Sequence, residues 1–147
     1  MKQISKTYPK LPSPCNCMNI RRASRAVTQF YDEVLKPSGL TIAQLGLLRH
    51  IEIVELTTIS ELAKMMRIDR TTLNRNMKPL TDAGLIAINP GKDSRTREVM
   101  LTEAGKDAVI KAWVLWGEAQ VLIKEYLGDK DLDKFIQLMA RLEALVP

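Results

Sequence analysis

The sequence predicts a mainly α-helical (α+β) fold in which a short β-hairpin interrupts a series of helices. Three observations lead there. Apolar residues recur at steps of three and four along most of the chain. Two capping-box pairs, Thr41 with Gln44 and Thr58 with Glu61, mark helix starts. Two short strand-like runs, Leu85 to Asn89 and Thr96 to Leu101, flank PGKDS, a stretch of turn formers.

Each element follows from local chemistry. Residues 1–16 hold Pro9, Pro12 and Pro14 without a helical period, so an extended N-terminal arm is expected. A helix over about 17–35 places Ile20, Ala23, Val27, Phe30, Tyr31 and Val34 on one stripe; Pro37, Ser38 and Gly39 stop it. The next helix covers about 42–54, with Leu45, Leu48 and Ile51 inward. The short helix ISELAKMM turns Leu62 and either Met65 or Met66 inward. Asp69 is a good N-cap for RTTLNRNMKPLTDA, and Gly84 suits the residue just past its end. Beyond the hairpin, Thr102 caps a helix over about 103–127, roughly 37 Å long at the usual rise. Asp129 and Asp131 open a last helix with Leu132, Phe135, Ile136, Met139, Leu142 and Val146 as its stripe.

Composition narrows the function classes. The 147 residues suit one domain, and 46% hydrophobic content is enough for a core. Two cysteines exclude a disulfide-stapled scaffold. No apolar run approaches the ~18 residues of a membrane span, and no signal peptide is visible, so a cytoplasmic location is expected. The net charge of +5 is uneven: +4 over residues 1–35, +3 over 57–102 and −2 over 103–147. That asymmetry suits a polyanionic partner for one part of the molecule.

The central block runs helix, short helix, turn, helix, hairpin, which is the order of a winged helix-turn-helix. Burying Leu73, Met77 and Leu80 leaves Arg70, Thr71, Thr72, Asn74, Arg75 and Lys78 on the other face of the second helix. These are the hydroxyls, cations and amide that DNA phosphates and base edges need, on an element of a size the major groove accepts. The hairpin tip adds Lys92, Arg95 and Arg97, and a thin basic loop has the shape for a minor groove.

Asp93-Ser94-Arg95-Thr96 followed by Leu101-Thr102-Glu103-Ala104-Gly105 resembles the D-x-R-[ST]-x4-LTxxG wing signature of MarR-type regulators. The preceding ISELAKMMRIDRTTLNRNMKPLTDAGLI resembles their helix-turn-helix, and the likeness extends over about residues 17–145. The resemblance implies a homodimeric transcription regulator, mostly of the repressor kind, on a palindromic operator in double-stranded DNA. It implies a winged DNA-binding region at 41–102 and a helical dimerisation region at 17–40 and 103–147. Arg95 maps to the arginine that enters the minor groove, and Asp93 to the group that supports it. Family members respond to small aromatic or anionic effectors, or to oxidants through cysteine.

Dimerisation has support in the residues themselves. Asp107, Lys111, Glu118 and Glu125 form one polar line on the long helix, while Ala112 to Trp116 is apolar on nearly every side. Such a stretch has to be covered from several directions. Pro79 lies inside the recognition helix, where a bend beyond it would displace Lys78 more than Thr71, Thr72, Asn74 or Arg75.

Other residues leave alternatives open. Cys15 and Cys17 are small packing residues at a helix start, redox-active thiols, or two of the ligands of a metal site. His50 is a packed histidine, a general base or a metal ligand. Met18, Arg21, Tyr31, His50, Trp113 and Trp116 form the candidate effector pocket, with ordinary packing as the competing role. Arg21, Arg22 and Arg25 meet a ligand carboxylate, form inter-subunit ion pairs, or are simply solvated. No hydrolase, metalloprotease, nucleotide or dinucleotide motif is present, so no catalytic residue, metal or cofactor is expected. A redox-active thiol protein using Cys15 and Cys17, and a helical adaptor that binds protein, are the readings from other classes.

Overall fold

The computed structural model describes residues 11–147. Residues 1–10 of the expected arm, Pro9 among them, lie outside the described residues. The elements are α1 (Asn16–Leu35), a 3-10 turn (Lys36–Ser38), α2 (Ile42–Val54), β1 (Thr57–Thr58), α3 (Ile59–Met66), α4 (Arg70–Asp82), β2 (Ile86–Pro90), β3 (Arg97–Leu101), α5 (Glu103–Leu127) and α6 (Asp129–Glu143).

Local chemistry explains most of the boundaries. Both capping boxes close: Thr41 Oγ1 accepts from the Gln44 amide at 3.2 Å, and Thr58 Oγ1 from the Glu61 amide at 3.2 Å. Asp69 accepts from the Thr72 amide at 2.8 Å and starts α4. The end of α4 is a Schellman turn. The Leu85 amide reaches back to the Leu80 carbonyl and the Gly84 amide to that of Thr81, with Gly84 at φ +71°. Pro79 is accommodated inside α4, which runs on to Asp82.

The sheet has one strand more than the expected hairpin. Its order is β1-β3-β2, all antiparallel, with Thr57 opposite Val99 on one edge and Ile88 opposite Val99 on the other. Two residues are too short a run for an alternation pattern, so β1 has no signature along the chain. The hairpin strands themselves begin one residue later than expected, and α1 begins one residue earlier, with Cys15 as its N-cap.

The core lies in the winged unit. Leu45, Leu48 and Ile51 of α2, with Leu47 as an addition, meet Leu62, then Leu73, Met77 and Leu80, and Ile86 and Val99 of the sheet. The base of α5 joins through Val109 and Ala112. Of the two methionines closing α3, Met66 packs against this core and Met65 is exposed. Outside the winged unit burial is sparse. The only buried residue of α1 is Leu35, and α6 has none; Phe135, Ile136 and Leu142 of its stripe lie open, and Val146 falls beyond its end.

Candidate nucleic-acid interface

The candidate recognition face is assembled by α4. Its buried residues Leu73, Met77 and Leu80 anchor one side on the core. Arg70, Asn74 and Lys78 then follow one another at steps of four on the outer side, flanked by Thr71 and Arg75, and all five are exposed. Thr72 differs from expectation. It is half-buried, and its hydroxyl donates to Asp69 at 2.7 Å. Its side chain completes the cap at the start of α4. Lys78 pairs with Asp82 at 2.9 Å. Among the described residues, Arg70, Arg75, Lys92, Arg95 and Arg97 carry no ion pair, which leaves their charge for an external anion.

The wing is held from within. The Gly91 amide donates to the Thr96 carbonyl at 2.9 Å, and the Thr96 amide and hydroxyl both donate to the Asp93 carbonyl, at 3.0 and 2.9 Å. A β-carbon on Gly91 would meet the Thr96 hydroxyl, so a larger residue there would have to displace that side chain from the closure. The Asp93 carboxylate accepts from the Arg95 amide at 3.1 Å. It therefore orders the backbone of the tip, and the Arg95 side chain projects from it exposed.

The Asp69 cap has a pH signature. The Thr72 hydroxyl and amide hold its carboxyl below the ordinary aspartate range. A depressed carboxyl contributes stability above its unfolded pKa and loses it as pH falls through the folded one. The cap should thus be intact at neutral pH, and its contribution should begin to fall only below the ordinary aspartate pKa of about 4. Circular dichroism melts from pH 6 to pH 3 check this: the wild type should lose more of its melting temperature than Asp69→Ala, which has no cap to protonate.

The expected effector residues each have partners of their own within the chain or lie exposed on it. Trp113 stacks on Trp116 with centroids 4.3 Å apart and planes 14° apart, and the Arg49 guanidinium covers the Trp113 ring at 4.3 Å. Arg49 is also bound by Glu52. Arg49 and the tryptophan pair thus bridge α2 to α5, with Trp113 still 40% exposed. Tyr31 donates its hydroxyl to Gln120 Oε1, and partial burial raises its pKa, which keeps that proton in place. His50 Nδ1 lies 2.7 Å from the Gly46 carbonyl, the bond of a packed histidine. Met18 and Arg21 are exposed on the first half of α1. Arg49 was not anticipated: its pairing with Glu52 is local, but its approach to Trp113 joins residues far apart in the chain.

A separate apolar groove of about 450 Å³ runs between α1 and α6, lined by Ile20, Ala23, Val27, Phe135 and Met139. Cys15 and Cys17 are free and exposed, so neither packs into a core. Among the described residues no group of three or more His, Cys, Asp or Glu is placed to hold a metal ion, and no helix is long and apolar enough to cross a membrane.

A three-helix frame with an outward cationic helix, closed by a cationic β-hairpin, defines a winged helix-turn-helix protein. Comparison with known proteins gives the family. Residues 38–95 match the MarR family model. The chain is 36% identical to the transcriptional regulator MosR of M. tuberculosis, solved in complex with DNA; the match covers 90% of this chain and 99% of that one, with a TM-score of 0.77. A mutant of MarR from E. coli complexed with operator DNA is 26% identical, over 87% of this chain and 91% of that one, with a TM-score of 0.74. The repressor CouR, bound to a 23-mer DNA duplex, shares the fold at 22% identity and a TM-score of 0.80, over 88% of this chain and 92% of that one. No curated protein sequence matches. The chain belongs to the MarR family of transcriptional regulators.

Proposed function

We propose that this protein is a homodimeric, sequence-specific DNA-binding regulator that represses transcription from a palindromic operator. The single observation that carries the reading is the set of unpaired cations on two outward elements, Arg70 and Arg75 on α4 with Lys92, Arg95 and Arg97 on the wing. In this reading Arg70, Thr71, Asn74, Arg75 and Lys78 enter a major groove. Thr72 contributes through its cap, and Arg95 enters the neighbouring minor groove while Asp93 holds its backbone. The DNA-bound states of MosR and MarR support the partner class. The winged unit at 41–102 does the reading, and residues 17–40 and 103–147 join two copies. What supports the second copy is apolar surface left open by the fold: the groove between α1 and α6, and the outer stripe of α5.

Arg95→Ala tests the reading. It should cost about 1–3 kcal/mol of operator binding, roughly a 5- to 160-fold loss in a mobility-shift titration. Wild-type affinity should also fall steeply with salt. Unchanged affinity in the variant would count against the wing contact.

Release follows from linkage: a signal that favours another spacing of the two recognition helices lowers DNA affinity. A small aromatic or anionic effector would act at the junction of α1, α2 and α5. Met18, Arg21, Tyr31, His50, Trp113 and Trp116 remain the candidates there, with Arg49 as an anion partner already seated on an aromatic face. The exposure of Cys15 and Cys17 favours an oxidant as a second kind of signal. If peroxide still releases DNA from the double Cys→Ser variant, the thiols are not the sensor. A thiol enzyme built on the same two residues would leave the cationic winged unit without a role.

A further inference from the structure

The residue that closes α3 occupies a backbone position suited to glycine. Arg67 is left-handed, at φ 52° and ψ 43°, and its amide bonds back to the carbonyls of Ala63 and Lys64. A β-carbon is crowded in that region, and glycine or asparagine serves such a cap as well. The backbone alone gives no reason for an arginine here; its side chain does. The guanidinium lies 3.6 Å from a carboxylate oxygen of Glu143, the last residue of α6, and both side chains are well exposed. The pair ties the turn of the helix-turn-helix to the far end of a helix that packs on α5. Arg67 is exposed and stands three residues before Arg70, the first residue of α4.

An ion pair between exposed groups is weak and exchanges readily with other anions. A DNA phosphate is a strong competitor, because each arginine that neutralises one also releases condensed counterions. We propose that Arg67 is a further DNA-backbone contact and that Glu143 is its internal competitor. The carboxylate holds the guanidinium in the free protein and yields it to a phosphate when DNA docks. The inference rests on the DNA-binding reading, and it couples the last turn of α6 to DNA affinity: a movement that draws Glu143 away from Arg67 tightens binding.

The experiment is a fluorescence-anisotropy titration over a range of KCl, using a labelled duplex recovered from a random-sequence pool by the wild-type protein. Glu143→Gln should bind about two- to fivefold tighter than wild type. Arg67→Gln should bind more weakly and flatten the log–log salt dependence by about one. In the Arg67→Gln background, Glu143→Gln should change nothing. An equal gain from Glu143→Gln with and without Arg67 would mean general charge repulsion and would overturn the assignment. So would wild-type affinity in Glu143→Gln, or an unaltered salt slope in Arg67→Gln. Failure of the wild type to recover any duplex at low salt would instead remove the DNA-binding reading, and this inference with it.

Discussion

Gly105→Ala is expected to destabilise the fold by roughly 3 kcal/mol or more, a loss near the upper end for a single added methyl in a packed site. Gly105 is buried in the first turn of α5, and a β-carbon there would run into the backbone carbonyl of Leu85. That carbonyl cannot retreat cheaply. It accepts from the Thr102 amide at 3.1 Å, beside the Thr102 hydroxyl, which donates to the Gly84 carbonyl at 2.6 Å. These bonds weld the end of the recognition helix to the start of α5, so moving one displaces the other. The melting temperature should fall by about 10 °C. Gly46→Ala is the control: it lies mid-helix in α2 with nothing near its added carbon, and helix propensity predicts a neutral or slightly positive change, up to about 1 kcal/mol. Equal effects at the two sites would refute the close-approach argument.

If the proposed homodimer forms through α5, Val114→Glu should abolish it and with it nearly all operator binding. In the isolated chain Ile110 is 66% exposed, Val114 64% and Trp113 40%, a run of apolar surface on one side of α5 that solvent does not favour. A second copy would cover it. A carboxylate buried in that contact would lack a partner and oppose assembly. Two heads joined in one dimer gain from the linkage of their half-sites, so a monomer should bind roughly a hundredfold or more weakly. Light scattering should show the mass of one chain, and circular dichroism a retained helix content, because the core of the winged unit does not include Val114. A dimer of wild-type stability in the variant would place the interface elsewhere.

How far each feature could be read along the chain depends on the range of the interaction that makes it. The capping boxes, the Asp69 cap, the Gly84 turn and the buried spacing of Leu73, Met77 and Leu80 all join residues a few positions apart. They were therefore legible, as were the bounds of α2 and α5. The exposed cations on α4 followed from the same periodicity, and those of the wing from the turn formers of the hairpin. Thr72 took a second use, as part of the Asp69 cap, because a side chain close to a cap has two uses and periodicity does not choose between them. Asp93 bonds to the Arg95 backbone for a similar reason: a short carboxylate in a turn satisfies the nearest amide first.

What the amino-acid order determined by itself was the helical periods, their start and stop signals, the hairpin and the outward cations, since backbone capping and side-chain direction act over one or two turns. Tertiary structure alone decided the third strand, the Arg49–Trp113–Trp116 bridge, the reach of Glu143 to Arg67 and the reason for Gly105 in its motif. Each of these arises where segments distant in sequence are pressed together by burial of the same core, and that proximity leaves no period in the chain.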